Sequence, residues 1–537
     1  MEKFSAVFLS IFIVVAMFAG CSKEDSAPEA KEEKTVSDSS TEIVLSDTGV
    51  TVGGEKATTD KTKSVYVADD IIYYEDGHDF TYGEGSENEA HSKDEAAAHT
   101  VVHITQPGSY TVSGKLSKGQ VAIDLGDDAK KDPDAVVTLT LNNADITCTV
   151  APAVIFYNVY ECCPSDEENA TKDVNTSKAG ANVIIADGSE NNINGSHVAK
   201  IYKSDSIVLS EDGKEVEDAD KLHKYDGAFY SKMSMNINGG KKGDGVLNIN
   251  ADNEGLDSEL HLTINSGNIN IVSGNDGINT NEDNVSVTTI NGGNLNIFVN
   301  GSTGEGDGID SNGWLIINGG KVITQACATS GDAGIDSDKG IYINGGTVFA
   351  TGNMLDKISE SKQTFAIFTF AGAQENGDFS LKNSKNETVV SSKVTNKFTY
   401  LVISSPNLSE GDFSLYKGET KLQGAKAIGG SAGAPQMPEG EIPQGGQKPE
   451  GMFPEGMTPP DGDMPHGGQK PDKFDGEKPE DMTPPDGEIP EDMVPPDGMA
   501  PPDGDMRPGN RPQQGENAES SDTLKITTGE NYFVSVK

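Results

Sequence analysis

Between Asp226 and Gly352 one short pattern returns at a fixed interval, and few folds accommodate it. Its clearest form is Gly306-Asp307-Gly308-Ile309-Asp310-Ser311-Asn312, followed by Leu315-Ile316-Ile317-Asn318-Gly319-Gly320. Asn238, Asn291, Asn318 and Asn344 each open an Asn-Gly-Gly turn, and Asn265-Ser266-Gly267 fills the remaining slot, so the steps are 27, 26, 27 and 26 residues. A constant period of this size marks stacked repeats. The runs before the turns, Met233 to Ile237, Leu260 to Ile264, Val285 to Ile290 and Ile341 to Ile343, alternate apolar and polar residues over a strand's length. The Gly-Gly pairs that follow are turn signals. A unit of about 26 residues holding two or three short strands cannot bury its own apolar side chains and must stack on its neighbours. The expected fold is therefore all-β: a parallel β-helix, with Ile237, Ile264, Ile290, Ile317 and Ile343 in one inward ladder.

The other half of each repeat is acidic. It reads Glu254-Gly-Leu-Asp257, Asp276-Gly-Ile-Asn279, Asp307-Gly-Ile-Asp310 and Asp332-Ala-Gly-Ile-Asp336, with Asp252 just ahead of the series. Equivalent residues of stacked repeats lie one strand spacing apart, about 4.8 Å. Carboxylates at that spacing repel by about 3 kcal/mol per pair at an effective dielectric near 20. A hard divalent cation removes the conflict, since Ca²⁺ takes about 6–8 oxygens at about 2.3–2.6 Å. Glycine beside each acid lets backbone carbonyls approach the same ion. These nine residues are thus the candidate metal ligands. The competing reading is that Asp, Asn and Gly are here only because turns favour them; that reading does not require an acid on both sides of the Gly-Ile pair.

The chain opens with Lys3, an apolar run from Ala6 to Phe18, and Phe18-Ala19-Gly20-Cys21. Small residues directly before a Cys resemble a bacterial lipoprotein signal over residues 1–20, which would leave Cys21 as the lipid-bearing first residue. The run is too short to span a bilayer as a helix, and an exported protein is expected. Residues 21–63, rich in Ser, Thr, Glu, Lys and Asp, read as a disordered tether. Strand patterning begins with Val65-Tyr66-Val67 and Ile71 to Tyr74.

The next segment carries a resemblance. Ile104-Thr-Gln-Pro-Gly-Ser-Tyr-Thr-Val-Ser-Gly114, Leu116 and Gly119-Gln120 are followed by Val136 to Ile146 and Ile184-Ile-Ala-Asp-Gly-Ser189, and then by the repeats. In this order the motifs, over roughly 99 to 425, resemble the bacterial cell-surface family of carbohydrate-binding-domain proteins. The resemblance implies a right-handed parallel β-helix similar to pectate lyases, bound calcium, and affinity for plant cell-wall polysaccharides such as pectin and cellulose. Insertions around 162–178 and 204–222 depart from the pattern and would cover part of a ligand face. The β-helix domain is expected over 64–433. Residues 434–520 hold 19 of the 25 prolines and read as a Pro/Gly/Asp-rich insertion without a core. Strand patterning returns at 521–537, so the insertion interrupts a capping region rather than forming a tail.

A formal net charge of −45 disfavours nucleic acid as a partner, because phosphate binding needs a basic face. A polyuronate is also anionic, and binding it would need bridging cations. Crystalline cellulose is the weaker ligand, since Trp314 is the one Trp available to make a flat aromatic platform. Of the four cysteines beyond Cys21, Cys148 is expected to pair with Cys162 or Cys163, in keeping with an exported chain, and His261 to be an exposed strand residue. Three functions fit: a non-catalytic calcium-dependent binding lipoprotein at the cell surface, a pectate-lyase-like eliminase, or a calcium-stiffened structural adhesin. The lyase needs a base, for which Lys232, Lys321 and Lys339 stand in the repeats, and the segment from Asp226 to Gly352 contains no Arg. The binding module is the reading the residues favour.

Overall fold

In the computed structural model the chain is described over residues 40–359, 361–427 and 519–537. It is an all-β structure with one five-residue α-helix, Lys93–Ala97, among the described residues. From Gly108 to Gly352 the backbone passes repeatedly through the same three positions, and strands of successive passes pair in parallel. The first ladder runs from Ala181–Ile185 through Met235–Gly239, Leu262–Ile264, Val287–Ile290 and Trp314–Ile317 to Gly340–Ile343. In it Ile237 pairs with Ile264, Ile264 with Ile290, Ile290 with Ile317, and Ile317 with Ile343. All five side chains are fully buried, each worth about 1.5–3 kcal/mol of transfer free energy.

A second ladder follows the Asn-Gly-Gly turns and stacks Glu190–Gly195, Val246–Ala251, Asn268–Ser273, Asn294–Val299, Lys321–Gln325 and Thr347–Gly352. Its inward residues Ile193, Ile249, Ile271 and Ile297 are likewise in register and buried. The third ladder carries the acidic half of the repeat. It joins Thr100–Ile104, Gly119–Asp124, Val154–Asn158, Gly227–Ser231, Glu254–Ser258 and Ile278–Thr280, and a single bridge extends it from Ile278 to Ile309. One apolar cluster runs between the three.

Four of the five turns close on a glycine with a positive φ, at Gly267, Gly293, Gly320 and Gly346. Gly320 has φ +79°, and a Cβ there would come within 2.7 Å of the Gly293 carbonyl of the preceding pass. Only glycine meets both demands without strain. The asparagines opening the turns do more than turn: Asn265 donates to Asn238, Asn291 to Asn265, Asn318 to Asn291 and Asn344 to Asn318, at 2.9–3.0 Å. A second amide stack, Asn192, Asn248, Asn270 and Asn296, lines the outer side of the second ladder.

Both ends of the parallel stack are closed by antiparallel strands. Phe398–Ser404 pairs antiparallel with Thr347–Gly352 and with Phe365–Gln374, and a second, Phe-rich core builds around Phe370, Phe379 and Phe398 with edge-to-face rings 5.2–6.2 Å apart. Glu530–Val536 lies parallel to Phe365–Gln374, and Ala425–Lys426 pairs with it from the other side. The strands flanking residues 428–518 thus meet each other; the Pro-rich segment itself lies outside the described residues, as does the signal segment.

Four expectations need correction. The tether gives way early: Thr41–Leu45 is a strand parallel to Gly108–Leu116, with Ile43 and Leu45 buried, because alternating apolar residues there find a sheet edge despite polar surroundings. Ile71 to Tyr74 forms no strand, although Ile71 and Tyr74 are buried. His261 is 1 % exposed rather than facing solvent, since the insertion folds over the first ladder: His261 Nε2 lies 3.2 Å from the Pro164 carbonyl, and the Val287 amide donates to Nδ1. Finally, Cys148, Cys162, Cys163 and Cys327 are all free thiols. Cys148 is sealed in the core while Cys162 and Cys163 sit on the insertion, their sulfurs 3.3 Å apart.

Candidate functional site: rows of buried carboxylates

From Glu254 on, successive passes of the third ladder open with an acid and a glycine, and the glycine amide bonds to the acid one pass further on. Gly255 N–H donates to the Asp276 carbonyl at 2.9 Å, and Gly277 N–H to the Asp307 carbonyl at 3.0 Å. Because the backbones stay in register, Glu254, Asp276 and Asp307 stack in one row, with Asp332 displaced by the extra Ala333; Asp226 lies one position before the row, since Gly227 pairs with Glu254. A second row follows three positions later. Asp257 pairs with Asn279, the Asp310 amide bonds to the Ile278 carbonyl, and the Asp336 amide to the Ile309 carbonyl.

Side chains bind some of these passes together. Asp276 Oδ1 accepts from the Asp307 amide at 2.7 Å, Asp332 Oδ2 from the Gly306 amide at 2.6 Å, and Asp307 Oδ1 from the Ala333 amide. Ser330 Oγ also donates to Asp332. Charge is not compensated in the same way. Among the described residues, none of Glu254, Asp257, Asp276, Asp307, Asp310, Asp332 or Asp336 makes an ion pair with a Lys or His. Burial, and then the neighbouring acids, lifts the carboxyls of Glu254, Asp257, Asp307 and Asp310 well above the ordinary range. Burial lifts Asp276 and Asp336 to about 7. Such groups either hold protons at neutral pH or require a cation.

Three oxygens mark where a cation fits. Glu254 Oε1 accepts from Asn279 Nδ2 at 2.9 Å and Asp257 Oδ1 from Asn281 Nδ2 at 2.7 Å. Yet Glu254 Oε2, Asp257 Oδ2 and Asn279 Oδ1 are buried with no hydrogen-bond partner. An unsatisfied buried acceptor costs about 1–3 kcal/mol, more when charged, and three of them on adjacent passes suit a hard, oxygen-seeking ion. The carboxylates by themselves do not close around one: among the described residues, only Glu161, Cys162 and Cys163 bring three acidic or thiol ligand atoms within 4.8 Å of one another. At the acid rows Asn279 and backbone carbonyls would have to complete the shell.

Asp252 stands apart from this group. It accepts from Ser196 Oγ and faces His197 Nδ1 at 3.3 Å. Burial opposes the charge on His197, but its bonds to Asp252 and Glu89 prevail and raise it to about 10. A cation is already in place there. Asp226 was not expected among the ligands, nor was Asp356. Burial raises both, Asp356 to about 6, and Asp356 Oδ2 also lacks a partner. The Asp226-Gly227 pair is the signal for the former, masked because Ala228-Phe229-Tyr230 replaces the usual apolar-acid continuation. Of the three candidate bases, Lys339 lies over the Trp314 ring at 5.0 Å and Lys321 is exposed, while Lys232 borders a cavity on the third ladder.

Comparison with known proteins adds a family. The model of a family described as carbohydrate-binding domain-containing protein matches residues 98–419. A solved structure titled as the polysaccharide lyase-like protein from C. thermocellum, gadolinium derivative, is similar at 19 % identity. The match covers 60 % of this chain and 92 % of that one, with a TM-score of 0.31. No curated protein matches the sequence.

Proposed function

This chain belongs to the carbohydrate-binding domain-containing protein family, and from that premise we propose that it is a non-catalytic module that holds acidic plant cell-wall polysaccharide through calcium. The polypeptide would form a right-handed parallel β-helix, with Cys21 lipidated and the protein displayed at the bacterial cell surface. The observation that carries the calcium reading is the set of partnerless buried oxygens on Glu254, Asp257 and Asn279 within rows of carboxylates that no lysine neutralises. Bound there, Ca²⁺ supplies positive charge and an oxygen-coordinating centre; Glu254, Asp257, Asn279, Asp276, Asp307, Asp310, Asp332 and Asp336 are the residues that would hold such ions. Asp307, Asp310 and Asp336 are mostly buried but keep a part of their surface open to solvent, so ions on those passes could also meet the carboxylates of a pectin-type chain, which a surface of net charge −45 would otherwise repel.

The test combines melting and retention. Calcium should raise the melting temperature by mass action and chelator should lower it, and retention on pectate should be lost with chelator while a neutral glucan responds much less. A melt indifferent to calcium removes the ion sites; calcium-dependent melting with calcium-independent retention leaves the ions structural. The lyase reading retains one supporting observation, the place of Lys232 on a cavity, and release of unsaturated uronides, read by ultraviolet absorbance, would establish it. For the anchor, Cys21→Ser should move the protein from the membrane fraction to the medium; unchanged fractionation removes the lipid assignment.

A further inference from the structure

A cavity of about 510 Å³ opens beside the third ladder, where its lining residue Tyr230 pairs in register with Asp257. Its size falls within the range of about 300–1,000 Å³ typical of small-molecule sites. Its walls come from the 3₁₀ segment Asp127–Lys131, the first insertion near Cys163, the stretch from Lys221 to Met233 that returns from the second insertion, and Glu259, Leu260 and Glu282 of the next two passes. The two insertions that interrupt the repeat therefore create a recess that the regular passes lack.

The recess is basic in an acidic protein. Five of its fifteen lining residues are Lys, whereas the whole chain has 41 Lys and Arg in 537 residues. Two of the five are already committed: Lys224 pairs with Glu259 at 2.9 Å, and Lys221 pairs with Glu84. Lys130, Lys131 and Lys232 have no carboxylate within ion-pair distance among the described residues. The acids lining the recess offset them only in part: Glu259 is taken up by Lys224, which leaves Glu161 and Glu282 against Lys130, Lys131 and Lys232. Glu161 accepts from the Ser234 amide at 2.7 Å, from Ser234 Oγ at 2.8 Å and from the Cys163 amide at 2.9 Å. Glu259 also accepts from Tyr230 OH at 2.7 Å. Burial, and then the charge of Lys130, pulls the half-buried Lys232 ammonium below its ordinary value. Three lysines and two carboxylates outside any ion pair thus share one space, which leaves it a net positive charge. Beside them Leu222, Met233 and Leu260 offer an apolar surface, as the C–H face of a sugar ring requires.

We propose that this cavity binds the acidic group of an anionic saccharide unit, with Lys130 and Lys232 holding its carboxylate and Leu222, Met233 and Leu260 covering the ring. The saccharide part rests on the carbohydrate reading above, whereas the anion part rests on the cavity alone. The site would act by direct contact and independently of the cations on the acid rows, giving the protein one recess for a single acidic residue beside an extended calcium-bearing face.

Calorimetric titration of the full chain in calcium buffer tests it, with digalacturonate, its uncharged dimethyl ester and inorganic sulfate as probes. Digalacturonate should bind, and the ester should bind at least about tenfold more weakly, the loss expected when charge-assisted hydrogen bonds disappear. The double change Lys130→Gln, Lys232→Gln should weaken digalacturonate and sulfate to a similar degree, and Lys321→Gln on the second ladder should change neither. If the double variant melts early, Lys131→Glu at the exposed rim serves instead, with the same weakening expected. Wild-type affinity in the charge-altered variants, or no anion bound by the wild type, overturns the proposal. Sulfate bound through these lysines with no sugar bound would keep the anion site and remove the carbohydrate reading.

Discussion

At the scale of single residues, the acid rows show how one substitution can change sign with conditions. Asp310 lies between Asp276, Asp336 and Asp338, whose charges, after burial, raise its carboxyl well above the ordinary range. Without a cation, Asp310→Asn removes a repelling charge and should raise the melting temperature; with saturating calcium it removes a ligand and should lower it. A thermal melt of both proteins with calcium and with chelator reads the inversion directly. An equal shift in both buffers would mean that Asp310 does not sense the ion. Asp252 provides the contrast, since His197 already compensates it. Its replacement should act through that pair and not through calcium.

Elements are held together across passes by groups that a strand pattern does not disclose. Asn318 donates to Asn291 and accepts from Asn344, so Asn318→Ala removes two amide bonds from the middle of a stack. Net hydrogen bonds of this kind contribute about 0.5–1.5 kcal/mol each, and a loss of about 1–3 kcal/mol in denaturant unfolding is expected. A change within about 0.3 kcal/mol would mean that solvent replaces the stack at no cost. The insertions act at the same scale. Thr176 Oγ1 donates to Asn236 Oδ1 and accepts from Thr263 Oγ1, both at 2.7 Å, so the first insertion is hydrogen-bonded to two passes of the first ladder. It covers His261 and helps to frame the lysine-lined recess.

For the whole molecule, the raised carboxyls make stability a function of pH. Asp276 and Asp336 titrate near 7 and Asp356 near 6 in the folded chain, against an ordinary value of 3.8. The folded state therefore binds more protons than the unfolded state between about pH 4 and 7, and stability falls as pH rises through that window. In chelator the melting temperature should drop from pH 5 to pH 8. Calcium, by taking the place of the protons, should flatten the curve. A chelated protein more stable at pH 8 than at pH 5 would contradict the burial of these acids.

Much of this architecture was legible in the sequence because it depends on repetition. The 26- and 27-residue steps locate Ile237, Ile264, Ile290, Ile317 and Ile343 in equivalent places, and parallel register then stacks them with no further information. The same periodicity brings Glu254, Asp257, Asp276, Asn279, Asp307 and Asp310 into rows. What breaks the period had to await the tertiary structure. Asp252 falls to His197, Asp226 comes beside Glu254 one position off the row, and His261 is buried by a segment about a hundred residues earlier in the chain. Lys130 and Lys232 are likewise distant in sequence, and only the third ladder brings them to one cavity. Local pattern specifies what each pass contributes to its neighbours; contacts made by insertions depend on where a long excursion lands, and no period encodes that.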